Sequence, residues 1–144
     1  MIADIVKQLK IDEGVRRTVY KDHLGYLTIG VGRLVDPNKP GAGLRDSEIE
    51  LLLRNDIEDR IAALGNVLPW FYELDEVRQG VLVNMAFQLG TAGLLGFKTT
   101  LKLVEAQKYA EAADQMLASK WARQTPARAQ RLATQMRSGK WQFG

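Results

Sequence analysis

The spacing of apolar residues predicts a helix and then a small β-sheet at the start of the chain. Apolar side chains recur at helical spacing over residues 2–12, and Gly14 is typical of the residue that follows a helix. These apolar positions are Ile2, Ile5, Val6 and Leu9. Residues 17–35 are rich in strand-forming side chains punctuated by glycine, which predicts strands joined by a hairpin turn. Residues 36–45, with two prolines and two glycines, predict a loop.

From residue 46 onward the pattern predicts helices. Asp46 or Ser47 is expected to cap a long, charged helix that runs to about residue 64. Residues 74–89 are apolar on most faces, which is typical of a buried central helix, and the glycine-rich segment 90–96 is expected to break it. The remaining predicted helices cover about 97–106, 108–118 and 126–137, the last with Thr125 as its cap and Pro126 in its first turn.

The strands and helices are segregated along the chain, which predicts an α+β fold. A length of 144 residues suits one domain built from two small lobes. We expect a small β lobe at about 14–45, a linking helix at about 46–64, and a larger helical lobe made of about 65–144 plus 1–13.

The composition narrows the chemistry to carboxylates. The chain has no cysteine and one histidine, His23, so neither a thiol nucleophile nor a common zinc site is expected. No GxSxG motif is present to supply a catalytic serine. We therefore expect no metal and no cofactor, with Asp or Glu as the acid–base groups.

The charge distribution indicates an anionic partner. Six basic residues and no acidic residue follow Asp114, whereas residues 1–114 carry 14 basic and 17 acidic groups. A basic C-terminal part is compatible with nucleic acid, a membrane surface or a cell-wall polymer, and equally with a solvated helix face. Charges at Asp4, Lys7 and Lys10 interrupt any signal-peptide core, so the expected location is the cytoplasm.

Three residues near the predicted hairpin have the groups that glycosidic bond cleavage needs. Glu13 leaves the first helix, Asp22 lies at the hairpin, and Thr28 is on the returning strand. One carboxylic acid would protonate the leaving oxygen, and a second carboxylate would handle water or positive charge at the anomeric carbon. Among seventeen acidic residues this spacing alone does not distinguish a catalytic pair from surface charge.

Four blocks of the sequence resemble, in the same order, the phage-type lysozymes of glycoside hydrolase family 24. They are IDEGVRRTVYKDHLGYLTIGVGRL (11–34), RNDIEDRI (54–61), LDEVRQGVLVNMAFQLGTAGLLGF (74–97) and SKWARQTPARAQRL (119–132). Together they span nearly the whole chain, apart from a loop at 36–45 that is shorter than in the T-even phage member. The resemblance implies a β-hairpin lobe and a helical lobe with an active-site cleft between them.

The resemblance also implies roles for individual residues. Glu13 would be the general acid, Asp22 would orient or activate water or stabilise the oxocarbenium-like state, and Thr28 would hold the water. The reaction implied is hydrolysis, with inversion, of the β-1,4 bond between N-acetylmuramic acid and N-acetylglucosamine. The substrate-binding residues implied are Leu34, Asn84, Gln88 and Arg128. We further expect a Glu13–Arg128 ion pair.

Three other residues have simpler interpretations. Trp121 is expected in the core, and His23 is expected to be a turn residue. Arg33 replaces a histidine of the T-even phage member, and we predict that it pairs with Asp56 on the linking helix, an ion pair whose cation does not titrate.

Two alternative functions remain open at this point: a lytic transglycosylase acting on the same bond, and a small basic nucleic-acid-binding protein. The resemblance favours a monomeric endolysin that a holin releases from the host cytoplasm to the periplasmic wall. A virion-mounted lysozyme would have the same catalytic domain. The helix at 126–137 combines Arg128, Arg131 and Arg137 with apolar residues and is a candidate for contact with anionic outer-membrane lipid.

Overall fold

Helix α1 and a three-stranded antiparallel sheet occupy the first part of the chain. The computed structural model describes residues 1–144 except the side chain of Ile5, so the predicted apolar position of that side chain lies outside the described residues. The chain divides into two units, Met1–Leu52 and Leu53–Gly144. The first unit contains α1 (Ile2–Glu13), β1 (Arg16–Lys21), β2 (Leu27–Gly30), β3 (Arg33–Leu34) and the start of α2 (Asp46–Val67).

The sheet has the strand order β1-β2-β3, and its register fixes which side chains are neighbours. Thr28 of β2 lies opposite Tyr20 of β1 and opposite Leu34 of β3. The turn between β2 and β3 contains Gly32 at φ +68°, a left-handed conformation that favours glycine. The predicted hairpin and the strand region at 17–35 are therefore confirmed.

Helix α2 begins differently from the sequence prediction. The helix starts at Asp46, so the flanking residue is Arg45 rather than Asp46 or Ser47. The backbone N–H of Arg45 donates to Oε1 of Glu48 at 2.8 Å, which is the glutamate half of a capping box. The expected cap was wrong because Glu48 reaches back from the third helical position and satisfies the N–H group that precedes the helix.

The second unit is helical. After the end of α2 it contains a 3₁₀ turn (Phe71–Glu73), α3 (Glu76–Leu95), α4 (Lys98–Glu105), α5 (Tyr109–Leu117), α6 (Lys120–Gln124) and α7 (Pro126–Ser138). Its core is apolar, and the largest fully buried side chains are Phe71, Leu64, Leu82, Met85, Leu94, Met116 and Met136. Each such side chain contributes on the order of 2 kcal/mol by leaving water. Short α6 was not predicted, because five residues are too few to show a helical period.

Helix α3 is interrupted where the sequence predicted a break. At Gly90 the φ of 78° and ψ of 160° are not helical, and a second helical stretch follows as far as Leu95. The break expected after residue 89 is therefore confirmed at Gly90, but the rest of the glycine-rich segment is helical. Asp75 caps the start of α3, where its side chain accepts a hydrogen bond from the N–H of Arg78 at 3.1 Å.

Both ends of α7 are held by specific contacts. Pro126 lies in the first turn as predicted, but the Thr125 hydroxyl donates to the Trp121 carbonyl at 3.0 Å and does not cap the helix. At the other end the guanidinium of Arg78 donates to the carbonyls of Met136 and Arg137 at 2.7 and 3.2 Å. The same guanidinium lies 3.7 Å from the centre of the Tyr109 ring, so Arg78 links α3, α5 and α7.

The architecture confirms the predicted α+β class, a mostly helical chain with one small antiparallel sheet. The assignment of residues 1–13 to the helical lobe stays a prediction. Over the described part of the chain, no single helix combines the length and apolarity of a membrane span; α3 and α4 meet those criteria only as a pair bent by 102°.

Candidate active site

Asp22 closes the turn between β1 and β2 with its own side chain. Its Oδ1 accepts hydrogen bonds from the N–H of Leu24 at 2.9 Å and from the N–H of Tyr26 at 2.8 Å. The N–H of Asp22 donates to the Tyr26 carbonyl, also at 2.8 Å. Within the part of the chain that the structure describes, no protein donor contacts Oδ2, so that oxygen is free to accept from a ligand.

Thr28 is buried in the middle strand, with 2% of its surface exposed. Its hydroxyl lies 3.0 Å from the Tyr26 carbonyl oxygen. Because a carbonyl can only accept, the hydroxyl must donate its hydrogen there, and the remaining capacity of Oγ1 is as an acceptor. The same carbonyl therefore receives hydrogen bonds from both Asp22 and Thr28, which ties these two predicted site residues together.

Glu13 ends α1, and its carboxyl group lies against the turn between β2 and β3. A Cβ atom at Gly32 would lie 3.0 Å from Oε2 and 3.3 Å from Cδ of Glu13, closer than an ordinary contact. Gly32 thus allows both the left-handed turn and the close approach of the carboxyl group. The predicted residues of this unit therefore lie on or against the sheet: Glu13 of α1 contacts one turn, Asp22 closes the other, and Thr28 lies beside Leu34.

The predicted substrate-binding residues of the second unit are paired with protein groups. Arg128 donates from Nε to Oδ1 of Asn84 at 2.9 Å and from Nη2 to its carbonyl at 3.3 Å. Gln88 accepts a hydrogen bond from the indole N–H of Trp121 at 2.9 Å. Asn84 and Gln88 are both exposed.

Trp121 and His23 have the simpler roles predicted for them. Trp121 is 4% exposed and packs edge-on against Phe97, with ring centres 6.0 Å apart, which confirms its place in the core. His23 is an exposed residue of the turn between β1 and β2. The predicted Glu13–Arg128 ion pair would join the two units and stays a prediction.

Arg33 has a different partner from the one predicted. Its Nη1 and Nη2 donate to the two carboxylate oxygens of Glu48, the latter at 2.6 Å, and Nη2 also donates to the Gly43 carbonyl at 2.9 Å. The predicted partner was Asp56, which lies about 12 Å further along the helix axis. The loop 36–45 leads from β3 directly into the first turn of α2. Glu48 lies in that turn, so its carboxylate is the one close to Arg33 of β3.

This contact changes the acidity of Glu48. The hydrogen bonds from the Arg33 guanidinium, followed by the N–H of Arg45, lower the pKa of the Glu48 carboxyl from 4.5 to about 2. Glu48 therefore remains ionised through the acidic range, and the pair ties β3 to the first turn of α2.

Sequence reasoning missed Tyr26, Lys39 and Gly32. Tyr26 binds Asp22 through its backbone, so its side-chain type does not reveal this contact. Lys39 lies above the Tyr26 ring, but it belongs to a loop and is thirteen residues further along the chain. Only Gly32 could have been found from the sequence. In GVG (30–32) two glycines flank one residue between strand-forming segments, which indicates a tight turn.

A small sheet with carboxylates near two of its turns, followed by a helical unit, is the arrangement expected of a lysozyme-type glycosidase, and comparison with known proteins shows the family. The family model described as phage lysozyme matches residues 10–138, so the chain belongs to the phage lysozyme family. Its activity is the hydrolysis of peptidoglycan, which confirms the enzyme class expected from the sequence. Neither alternative, the transglycosylase or the nucleic-acid-binding protein, is favoured by these matches.

Three relatives illustrate the range of proteins that the chain resembles. It is 33% identical to a probable T4-type lysozyme of Dictyostelium discoideum over a 164-residue alignment that covers 96% of each chain. It is 32% identical to the endolysin of Salmonella phage P22 over 131 residues, 84% of each chain. It is also 31% identical to the pre-baseplate central spike protein of Enterobacteria phage T4, over 89% of this chain and 26% of that protein.

Proposed function

We propose that Glu13 is the general acid of this lysozyme, and that Asp22 and Thr28 together bind the attacking water. The bond cleaved is the β-1,4 linkage between N-acetylmuramic acid and N-acetylglucosamine. Glu13 gives its proton to the glycosidic oxygen as that bond breaks. Water attacks the anomeric carbon from the other face and transfers a proton to the Asp22 carboxylate.

The observation that carries this proposal is that the Tyr26 carbonyl accepts hydrogen bonds from both Asp22 and Thr28. Thr28 donates to it, so Oγ1 is left as an acceptor, and Oδ2 of Asp22 is likewise an acceptor without a protein donor in the described residues. Two acceptors can take both hydrogens of one water, which directs an oxygen lone pair outward. The burial of Thr28 would shield that water from exchange with bulk solvent.

The placement of the two carboxyl groups supports inversion. Glu13 contacts the turn at one end of β2, and Asp22 closes the turn at the other end. A four-residue strand is about 13 Å long, so the side chains can face each other across a sugar ring and a water. Carboxyl groups are about 6.5–9.5 Å apart in inverting enzymes and about 5 Å apart in retaining ones, so side chains at opposite ends of a strand favour the inverting arrangement.

We propose that Leu34, Asn84, Gln88 and Arg128 contact the glycan, and that Glu13 pairs with Arg128. Leu34 is supported by its position opposite Thr28, and Arg128 by its contact with Asn84. Residues 1–13 would belong to the helical lobe, because the exposed apolar side chains of α1, Ile2, Val6 and Leu9, need an apolar surface to cover them.

The test is the clearing of a purified peptidoglycan suspension by the wild type and by Glu13→Gln. We expect lysis by the wild type and a loss of at least about a hundredfold in the variant, since an amide cannot donate the proton. Asp22→Glu is the companion variant, which keeps the charge and moves the carboxylate. Clearing by Glu13→Gln at the wild-type rate would refute the assignment of the acid.

The products distinguish the mechanism. Hydrolysis adds one water to each cleaved bond, whereas a transglycosylase leaves an anhydro sugar that is lighter by one water. Proton NMR of a short glycan during the first turnovers should show the α-anomer first if the β-linked substrate is inverted. An initial β-anomer would show retention and would assign Asp22 a nucleophilic role instead.

We propose that the biological role is host lysis by a monomeric endolysin. The match to the endolysin of phage P22, over 84% of each chain, supports this role, whereas the match to the spike protein of phage T4 covers 26% of a longer chain. The enzyme would remain in the host cytoplasm until a holin opens the inner membrane, and would then act on the wall in the periplasm. Co-expression with and without a holin, followed by culture turbidity, tests this dependence.

Contact with anionic outer-membrane lipid is a further part of this proposal. The apolar residues of α7 first expected to make this contact, Leu132 and Met136, are buried in the core. The proposal rests instead on Arg128, Arg131 and Arg137 of α7 and on the nearby stacked rings of Trp141 and Phe143, which are 49% and 90% exposed. Basic and aromatic side chains together favour an anionic bilayer surface. Vesicles with and without anionic lipid, titrated while Trp fluorescence is recorded, should show binding only to the anionic ones.

A further inference from the structure

Tyr26 connects a lysine of the loop 36–45 with both groups proposed to bind water. The ammonium nitrogen of Lys39 lies 4.6 Å from the centre of the Tyr26 ring, within the range of a cation–π contact. The Tyr26 N–H donates to Asp22, and the Tyr26 carbonyl accepts from Asp22 and from Thr28. The position of this one residue therefore sets the position of two others.

The loop that carries Lys39 is itself held by hydrogen bonds. The N–H of Lys39 donates to the Asp36 carbonyl at 3.1 Å, and the Lys39 carbonyl accepts from Ala42 at 3.1 Å. The Gly43 carbonyl accepts from the Arg33 guanidinium, which is fixed in turn by Glu48. Lys39 thus approaches the ring from an ordered backbone.

The ring is the partner of the Lys39 ammonium group. Across the residues that the structure describes, no carboxylate lies within ion-pair distance of it, and the side chain is half-buried instead of extended into solvent. A lysine in a loop would ordinarily be solvated, so its placement over the ring is a specific contact.

We propose that Lys39 is a positioning residue for hydrolysis: by holding the Tyr26 ring it keeps Asp22 and Thr28 aligned on the attacking water. The inference rests on the proposed roles of Asp22 and Thr28. A cation–π contact near the protein surface corresponds to about a two- to fivefold preference for the aligned state. The contact acts on the alignment of water and not on glycan binding, so the effect falls on kcat and leaves KM unchanged.

The test compares Lys39→Met with Lys39→Arg in saturation kinetics on purified peptidoglycan. The methionine keeps the length and removes the cation, and we expect kcat to fall about two- to fivefold at unchanged KM. Arginine can also lie over an aromatic ring and should restore kcat. Lys7→Met, on the exposed face of α1, removes the same charge from the same unit and should match the wild type.

A double-mutant cycle shows whether the effect passes through the ring. Tyr26→Phe should retain wild-type kcat, and Tyr26→Leu should lower it as Lys39→Met does. The double variant Lys39→Met/Tyr26→Leu should be no worse than Tyr26→Leu alone, because the two changes break one contact. Effects that multiply would overturn the proposal, as would an unchanged kcat or a raised KM in Lys39→Met.

The same series separates this inference from the proposed function. Asp22→Asn and Thr28→Val are measured beside the Lys39 variants, and thermal unfolding confirms that each protein is folded at the assay temperature. Wild-type activity in Asp22→Asn and Thr28→Val would refute the roles of those residues. Loss of activity in both, with Lys39→Met unaffected, would refute only the role of Lys39.

Discussion

At the scale of single residues, the position of Glu13, the proposed acid, depends on the lack of a side chain at Gly32. Gly32 leaves space for the Glu13 carboxyl group, and a Cβ there would lie 3.0 Å from Oε2. Gly32→Ala should therefore displace the carboxyl group and reduce kcat about ten- to hundredfold, the range expected for a misplaced catalytic group. The measurement is peptidoglycan clearing together with thermal unfolding of the same sample.

Gly41→Ala is the matched control for this variant. Gly41 also has a left-handed backbone, at φ +81°, but no atom lies within 4 Å of the added Cβ. Both variants should lose about 1 kcal/mol of stability from backbone strain, and only Gly32→Ala should lose activity. Equal activity losses in the two variants would mean that backbone strain, and not the contact with the Glu13 carboxyl group, causes the loss in Gly32→Ala.

The sequence was sufficient to propose Glu13 as the acid and Asp22 as the second carboxylate, but it did not reveal the contacts that hold these residues. Glu13, Asp22 and Thr28 were proposed because the surrounding blocks resemble a family. The choice of Glu48 over Asp56 as the partner of Arg33 depends on where the loop meets α2, and both carboxylates lie on that helix. Tyr26 could not be identified because backbone hydrogen bonds carry no sequence signature.

At the scale of elements, the Arg33–Glu48 pair makes the attachment of β3 to α2 depend on pH. The folded-state pKa of Glu48 is about 2, below its ordinary value of 4.5, so the pair stabilises the folded state fully above about pH 4.5. That contribution is lost as the pH falls from 4.5 to 2. Urea unfolding across this range should show a smaller pH dependence for Glu48→Gln than for the wild type.

Arg33→Lys tests the geometry of the same pair. Lysine retains the charge but cannot contact both carboxylate oxygens and the Gly43 carbonyl in one plane. We expect Arg33→Lys to unfold at lower urea concentration than the wild type at pH 7 and to show a weaker loss of stability on acidification. A pH profile identical to the wild type would show that charge alone is sufficient.

The side chain of Arg78 in α3 contacts two other helices of the second unit, α5 and α7. Arg78→Met would leave the Met136 and Arg137 carbonyls without their donor and would remove the cation from the Tyr109 ring. We expect a loss of about 1–3 kcal/mol in urea unfolding, the cost of leaving partly buried acceptors unpaired. Arg78→Lys should lose nearly as much, whereas a loss below 0.5 kcal/mol, about the scatter of surface changes, would contradict this role.

Helix positions followed from the sequence more closely than helix ends. Periodicity predicted α1, α4, α5 and α7 to within a residue or two, because their apolar residues recur at helical spacing. The ends were set by local features: Glu48 accepts from the N–H of Arg45 at the start of α2, the Trp121 carbonyl accepts from Thr125 before α7, and the backbone at Gly90 is not helical. The spacing of apolar residues does not reveal these features, because they depend on polar side chains and on the backbone.

At the scale of the whole molecule, the charge asymmetry predicts how substrate binding responds to salt. Residues after Asp114 carry six basic and no acidic groups, and peptidoglycan carries carboxylates on its peptides. Attraction between them is screened over about 8–10 Å at moderate salt. We therefore expect KM to rise about two- to tenfold between low and physiological ionic strength while kcat stays constant.

A charge-reversed variant isolates this effect. Arg131→Glu/Lys140→Glu reverses two charges of the basic segment and avoids Asn84, Gln88 and Arg128, the proposed binding residues. Its KM should be higher at low salt and should depend less on salt than that of the wild type. Parallel salt curves for the two proteins would place the salt response elsewhere on the molecule.

The hydrogen bond from Thr28 to the Tyr26 carbonyl also bears on which nucleophile can react. Since that carbonyl takes the hydroxyl hydrogen, a molecule between Thr28 and Asp22 must supply hydrogens to both acceptors. Water has two hydrogens to give, whereas methanol has one and would turn a methyl group toward the other acceptor. Under the proposed mechanism the site therefore selects water over alcohols, and cleavage in aqueous methanol should yield free reducing ends and almost no methyl glycoside.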